Sequence, residues 1–408
     1  MGAALHGDSI LPDGLNRETL RQEGTRLNAL VALAPPACAK AGPLEGLSFV
    51  AKDMFAWHDH GMTRGLAAPH AERSPPAVFL SQLTGEGADL MGFAEMTPLA
   101  YEPSGGNPFR ARPINPLNGD YISGGSSSGS AVLVAAGLVD FAVGSDTAGS
   151  LRIPAHCCGI AAWKPSFGLI CRAGSWPLAP SLDTLGILAR DISMLLRVGR
   201  ALVPDHPQAS LRLAIANDLV WPDPHDAPSV RAALQSLPLA SINLQPTIDL
   251  CDDVVLTVLQ REAYEANKAL LDQGVLDPVL ARRLSHGAAI AHETYHAACA
   301  GLAVLRAETA EKLFDDVDVI VLPTMPRPTP RVDECEPGRP DFSARTLYDL
   351  SRYTRFVNAL GLPAVTMPLP ARDGAMPSSV QLIARHGSGL AILHAAQKLE
   401  TLIQGKAR

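Results

Sequence analysis

Hydrophobic positions along the chain fall into short apolar runs separated by longer stretches with a helical period. Apolar runs of strand length occur at residues 47–51, 141–144, 211–216, 317–322 and 364–368. Apolar positions recur with helical spacing at residues 254–271, 288–313 and 390–403, and residues 79–92 combine a helical pattern with a following strand. This alternation predicts an α/β protein in which helices on both faces cover a central mixed β-sheet.

The domain organisation follows from the same pattern. Residues 1–45 are predicted to form a short helical lead-in that ends near Pro35-Pro36. Residues 46–408 contain neither an internal repeat nor a convincing linker, so we predict one domain over that range. Within it, residues 102–120 are rich in Pro, Gly and Asn and are predicted to form a loop.

A Gly/Ser segment at residues 123–130 runs directly into a helical pattern of small apolar residues. Taken alone, such a segment is typical of a flexible linker. Here it lies between a Pro-rich loop and a segment expected in the core, and the strand at 141–144 is followed by a second polar turn at 145–150. Glycine permits the backbone conformations that functional turns require, so we interpret this segment as a functional loop.

Composition and charge narrow the possible partners and compartment. The chain has 408 residues, 47% hydrophobic and 18% charged, with a net charge of −7. This composition predicts a globular protein without a basic surface for nucleic acid or anionic lipid. The longest apolar stretch is too short to span a membrane, and the first residues do not resemble a signal peptide. Seven cysteines without a Cys-x-x-Cys pair favour the reducing cytoplasm.

A serine in the second polar turn and a lysine after the first strand suggest a catalytic site. Ser150 ends a polar turn whose backbone N–H groups could stabilise an oxyanion, although no Gly-x-Ser-x-Gly elbow surrounds it. A Ser–His–Asp triad has little support, because the nearby His156 has no matching spacing. Lys52 follows an apolar strand and would ordinarily be solvated. If it were buried beside serines, its pKa could fall enough for it to act as a base.

Several segments match a known family, from residue 44 to residue 399 and most strongly between 114 and 191. They are residues 50–53, 115–116, 124–131, 144–152, 158–160, 164–168, 181–186, 318–324, 358–364 and 381–383. With these motifs the chain resembles the amidase signature enzymes, which are serine hydrolases that cut carbon–nitrogen amide bonds. The resemblance implies a single amidase-signature domain that needs neither a cofactor nor a metal.

The resemblance also implies a role for each residue of a Ser–cisSer–Lys triad. Lys52 would be the base, Ser126 the bridging serine behind a cis peptide bond, and Ser150 the nucleophile that forms an acyl-serine. The backbone N–H groups of residues 147–150 would stabilise the oxyanion, which gives Thr147, Ala148 and Gly149 beside Ser150. Supporting roles would fall to Ser127, Asp146 and Arg152.

Two features depart from the family pattern. Ala148 replaces the first glycine of the usual Gly-Gly pair before the nucleophile, and its methyl group could narrow the oxyanion hole or reshape the acyl pocket. The loop reads Ser127-Ser128-Gly129, as in the short indole-acetamide hydrolases that the chain also resembles in length. The likeness to those hydrolases bears on substrate size, and the apolar and aromatic content of the predicted pocket walls indicates a small aryl or alkyl amide, an ester or a carbamate.

The pocket walls are predicted to come from residues 57–66, 102–112 and 176–180 and from the helix at 285–300. Within that helix, His292-Glu293-Thr294-Tyr295-His296 has the zincin pattern His-Glu-x-x-His. A zinc metallopeptidase that uses His292 and His296 is therefore an alternative, although the sequence offers no clear third ligand.

A third hypothesis is an amidase-type subunit of an amidotransferase complex, which would pass ammonia to a partner. A hydrolase acting alone on a small-molecule amide is favoured, because the chain has no evident docking segment. A homodimer is expected on general grounds.

Overall fold

The computed structural model describes residues 16–36, 40–68, 74–205, 212–235, 237–370 and 374–406. The first fifteen residues of the predicted lead-in and the first residue of the predicted strand at 211–216 lie outside these ranges. Within them the strands are β1 Leu30–Leu33, β2 Ser48–Lys52, β3 Asp89–Ala94, β4 Phe141–Asp146, β5 Ala161–Lys164, β6 Thr184–Ala189, β7 Leu213–Ala216, β8 Leu239–Ile242, β9 Val319–Pro323, β10 Ala364–Pro368 and β11 Ser379–Ala384.

The α-helices of the described ranges differ widely in length. They are α1 Arg17–Arg26, α2 Val78–Gly85, α3 Ser128–Ala135, α4 Arg152–Cys158, α5 Ile192–Leu202, α6 Asp226–Leu234, α7 Gln245–Asp272, α8 Pro278–Ala288, α9 His292–Val304, α10 Ala310–Lys312, α11 Val332–Cys335, α12 Ala344–Leu350, α13 Arg355–Ala359 and α14 Ala391–Lys406. A π-helical segment, Leu305–Thr309, joins α9 to α10. A single 3₁₀ turn, Pro98–Ala100, follows β3.

All eleven strands form one mixed sheet in the order β1-β3-β2-β4-β6-β5-β10-β11-β9-β7-β8. Strands β3, β2 and β4 run parallel at one end of the sheet, and β9, β7 and β8 run parallel at the other. The strands between these groups pair in antiparallel fashion. The predicted mixed sheet is therefore confirmed.

Helices cover both faces of the sheet, as the alternation along β2 illustrates. Phe49 stacks on Phe141 with ring centroids 5.0 Å apart and packs into a core shared with α2, α5 and α14. Val50 points the other way, into a core shared with α3 and α4. Because successive strand residues face opposite sides, both sides of this strand are apolar and buried. This arrangement confirms the predicted α/β fold.

The structure adds elements that the apolar pattern did not reveal. The lead-in contains, besides α1, the strand β1, which pairs antiparallel with β3 at the edge of the sheet. The helical pattern at 288–313 begins only at His292, since α8 ends at Ala288 and three residues separate it from α9. Strand β11 contains polar residues such as Gln381, which is completely buried and hydrogen bonded. Because such residues interrupt the apolar pattern, that pattern did not predict a buried strand here.

Within the described ranges, none of the helices combines the length and the apolar composition that crossing a bilayer requires.

Candidate active site

The parallel strands β2, β3 and β4 bring their carboxyl ends to the same edge of the sheet, where ligands commonly bind in α/β proteins. Lys52 is the last residue of β2 and Asp146 is the last residue of β4. Both side chains are completely buried. The functional loops that follow these strands are therefore held close together by the sheet itself.

Lys52 contacts two serine hydroxyls. Its Nζ lies 2.6 Å from the Oγ of Ser126 and 2.9 Å from the Oγ of Ser145. Burial lowers the pKa of Lys52 to about 7, although the charges of Asp146 and Asp183 oppose this shift. A large fraction of the amine is therefore neutral near pH 7, and a neutral amine can accept a proton from a hydroxyl.

Ser126 lies in the Gly/Ser loop that precedes α3. The peptide bond between Gly125 and Ser126 is cis, as the family resemblance implied. The Ser126 carbonyl accepts a hydrogen bond from the Thr97 N–H, and the Gly125 N–H donates to the Pro103 carbonyl. Gly124 has φ of +71°, and a side chain there would meet the backbone of Pro154. The loop consequently requires small residues, which explains the glycine pair.

Ser150 ends the turn between β4 and α4. Its carbonyl accepts a hydrogen bond of 3.2 Å from the N–H of Ser127, which joins the nucleophile turn to the Gly/Ser loop. Its side chain is half-buried and lines a cavity of about 500 Å³. In the described ranges the side chains of Ser126 and Ser150 are not directly hydrogen bonded. Catalytic hydrogen bonds are often formed only when substrate is present, so the two hydroxyls remain candidates for a relay.

The turn at residues 147–150 offers three free donors. The N–H groups of Thr147, Ala148 and Ser150 make no hydrogen bond within the described ranges. The N–H of Gly149 instead donates to the Asp146 carboxylate at 2.9 Å. Gly149 has φ of +126°, and a side chain there would clash with Thr354. The four predicted residues therefore lie in one turn, but the Gly149 N–H stabilises that turn by bonding Asp146 and is not a free donor.

Two of the predicted supporting residues, Asp146 and Arg152, form a buried network below this turn, while the hydroxyl of the third, Ser127, donates to the Ser145 carbonyl at 3.4 Å. Arg152 donates to Asp146 through two nitrogens, at 2.8 and 3.0 Å, and also bonds Asn358 and Gln381. Burial would raise the pKa of Asp146, but the Arg152 charge and its hydrogen bonds outweigh this effect and lower that pKa to about 2. Asp146 remains ionised and holds the N–H groups of Gly149 and Leu151.

The cavity at Ser150 has a mainly apolar wall with a few polar groups. The residues that line it include Tyr101, Glu102, Leu178, Leu256, Leu259, Gln260, Arg283, His286, Leu347 and Tyr348. Residues 102–112, 176–180 and 285–300 each contribute, as predicted. Trp57 instead lines a separate surface cavity, and no residue of 57–66 belongs to the Ser150 cavity in the described chain.

Similarity to known proteins supports the family resemblance found in the sequence. The model of the Amidase family matches residues 28–262 and 252–393. The chain belongs to the amidase signature family. It is 30% identical to "Amidase 1" of Arabidopsis thaliana over 91% of this chain and 97% of that protein. A solved structure described as "Crystal structure of amidase" has 25% identity and a TM-score of 0.81, and it covers 96% of this chain and 95% of its own.

The chain is also similar to proteins that are described as amidotransferase subunits. The chain is 28% identical to a glutamyl-tRNA(Gln) amidotransferase subunit of Neisseria meningitidis, over 94% of this chain and 89% of that protein. Family membership and these neighbours indicate a hydrolase that acts on amide carbon–nitrogen bonds. Some relatives are subunits of larger assemblies.

The zinc alternative gains no ligand set from the structure. His292 and His296 are exposed at the start of α9, with ring centroids 4.7 Å apart. Among the residues that can be described, no group of three or more His, Cys, Asp or Glu side chains could hold a metal ion.

Sequence reasoning missed Ser145 and the walls from α7 and α12. Ser145 belongs to the polar turn predicted at 145–150, yet in the structure it is the last residue but one of β4 and contacts Lys52. Leu256 and Leu259 of α7 face the same cavity as Leu347 and Tyr348 of α12. These residues are far from the triad in the sequence, and no local motif marks them.

Proposed function

We propose that the chain hydrolyses the carbon–nitrogen bond of a small amide through an acyl-Ser150 intermediate. The observation that carries this proposal is the contact between the buried amine of Lys52 and the Ser126 hydroxyl, in a loop bonded to the backbone of Ser150. A hydroxyl is a weak nucleophile until a base removes its proton. The arrangement suits a relay in which Ser126 transfers a proton from Ser150 to Lys52.

In the first half of the reaction, neutral Lys52 accepts the Ser126 proton while Ser126 accepts that of Ser150. The Ser150 oxygen then attacks the amide carbon, and the N–H groups of Thr147, Ala148 and Ser150 stabilise the oxyanion. Lys52 returns its proton through Ser126 to the amide nitrogen, the carbon–nitrogen bond breaks and the amine leaves.

In the second half, water attacks the acyl-serine. The same relay removes the water proton and returns it to Ser150, which releases the carboxylic acid and restores the starting state.

The principal test is the Ser150→Ala substitution, assayed with a panel of primary amides, anilides and carbamates. We expect a loss of at least about 1000-fold in kcat. The matched control is Ser130→Ala, because Ser130 is a buried hydroxyl in α3 that has no hydrogen-bond partner among the residues the structure describes. Mass spectrometry of the wild-type enzyme, quenched during turnover, should detect the added acyl group on Ser150. Full activity in the Ser150→Ala variant would contradict the proposal.

Membership of an amidotransferase complex is the second candidate, and its support is the similarity to the glutamyl-tRNA(Gln) amidotransferase subunit of Neisseria meningitidis. The two functions differ in what the purified chain can do alone. Turnover of amides by the isolated chain would favour the hydrolase. Turnover that appears only with an added partner would favour the amidotransferase complex.

A further inference from the structure

A second cavity adjoins the one that contains Ser150. It has a volume of about 440 Å³, and both cavities are lined by Glu102, Arg283 and Leu347. The two spaces therefore meet at these three residues and form one cleft with two chambers. A group at their junction can interact with a substrate whose reacting carbonyl lies at Ser150.

Arg283 is positioned at this junction by α8. The side chains of Leu280 and His286, one turn before and after it, also line the cleft, so one face of α8 forms its wall. Arg283 is half-buried there. The helix therefore presents a guanidinium to the space between the chambers.

The other arginines that line the two chambers have carboxylate partners. Arg110 bonds Glu95 at 2.9 Å, Arg112 bonds Glu336 at 2.9 Å, and Arg355 bonds Asp252 at 2.5 and 2.9 Å. Arg283, in contrast, makes neither a hydrogen bond nor an ion pair with any residue that the structure describes. A guanidinium carries several donors and favours a carboxylate partner, so this position suits an anionic ligand group.

Glu102 lines both chambers beside Arg283 and is an acidic group that could compete for it. Its carboxylate accepts hydrogen bonds from the N–H and Oγ of Ser104, at 2.8 and 2.7 Å, and forms no ion pair with Arg283. Burial raises the pKa of Glu102, and the Arg283 charge only partly opposes this effect. Glu102 thus leaves Arg283 free to bind another carboxylate.

We propose that Arg283 determines specificity by binding a carboxylate on the acyl chain of the substrate. This inference rests on the proposed function. The preferred substrates are then monoamides of dicarboxylic acids, with the amide carbonyl at Ser150 and the carboxylate at Arg283. The methylenes between these groups pack along apolar residues of the cavity wall such as Leu256, Leu259 and Leu347.

The kinetic test compares glutaramate with its neutral isostere 5-oxohexanamide, and includes succinamate and adipamate to find the best chain length. We expect wild-type kcat/KM to favour the best anionic amide by about 10-fold to 100-fold, the range expected for a charge-assisted hydrogen bond. The Arg283→Met variant should lose this preference but retain its activity on the neutral amide. Arg282→Met is the matched control, because Arg282 is exposed on the same helix.

A binding measurement separates this inference from the proposed mechanism. In the Ser150→Ala background, titration calorimetry should show tighter binding of the best monoamide than of its neutral isostere, and Arg283→Met should abolish the difference. Equal affinities for the two ligands, or a preference that survives Arg283→Met, would overturn the inference. If the wild type hydrolyses neutral amides but shows no preference for the anionic ones, only the role of Arg283 is wrong. If Ser150→Ala remains active, the proposed hydrolase mechanism is wrong.

Discussion

Lys52 and Lys164 are both completely buried, and burial lowers the pKa of each to about 7. Their contacts differ. Lys52 bonds the hydroxyls of Ser126 and Ser145, whereas Lys164 bonds the carbonyl of Pro165 at 2.9 Å. A carbonyl oxygen has no proton to give, so a neutral Lys164 has nothing to deprotonate at that contact. The comparison shows that a lowered pKa makes a lysine useful as a base only where a hydroxyl lies beside it.

The largest expected effect separates these two lysines directly. Lys52→Met should reduce kcat by about 100-fold to 10,000-fold, because general-base catalysis contributes that much. Lys164→Met makes the same change at a buried lysine that does not contact Ser126 or Ser150, so kcat should change by less than about 5-fold. The measurement is steady-state kinetics on one amide, with circular dichroism to establish that both variants are folded. Equal losses in the two variants would remove the distinction between the lysines.

Asp146 is the second point of the comparison, because its charge raises the pKa of both lysines. It also forms a completely buried pair with Arg152. Asp146→Asn leaves the Arg152 charge without its partner and should lower the free energy of unfolding by about 3–5 kcal/mol. Urea unfolding at pH 7 measures this loss.

The pH dependence of that loss follows from the lowered pKa of Asp146, about 2. A depressed carboxyl pKa contributes stability above its unfolded value of about 4, and this contribution disappears as the pH falls toward 2. The difference between wild type and Asp146→Asn should therefore shrink as the pH falls below about 4, because the Asp146 carboxyl takes up a proton in the unfolded chain before it does so in the folded one. A difference that does not change with pH would argue against an ionised Asp146 in the folded state.

The sequence predicted the parts of this site that local motifs encode. The Gly/Ser loop, the turn before Ser150 and the strand that ends at Lys52 all follow from residues close together in the chain. The hydrogen bond from the Gly149 N–H to Asp146, and the contact of Ser145 with Lys52, depend on side-chain directions that a motif does not specify. The walls from α7 and α12 depend on helix packing across the sheet. For the same reason β11 was missed, since a polar residue such as Gln381 is buried only because distant groups satisfy it.

The pH profile of catalysis is the next way to sharpen the comparison. If neutral Lys52 is the base, kcat/KM should rise with pH and level off above an inflection near 7, where burial places its pKa. Activity at pH 8 should be about 10-fold higher than at pH 6. Lys164→Met should retain this inflection, although Lys164 also has a pKa of about 7. If the inflection disappeared in Lys164→Met, the titrating group would be Lys164 and not Lys52.

The smallest expected effect concerns Ser145, the second hydroxyl at Lys52. Ser145→Ala removes a hydrogen-bond acceptor that stabilises the protonated amine more than the neutral one, so the pKa of Lys52 should fall further. The inflection in kcat/KM should move to lower pH by less than about one unit, and kcat should fall by about 2-fold to 10-fold, the usual value of one hydrogen bond. Ser130→Ala removes a buried hydroxyl that has no hydrogen-bond partner in the described part of the chain, and it should leave the inflection in place. A shift to higher pH in Ser145→Ala would mean that Ser145 favours the neutral amine, and would reverse the role given to this contact.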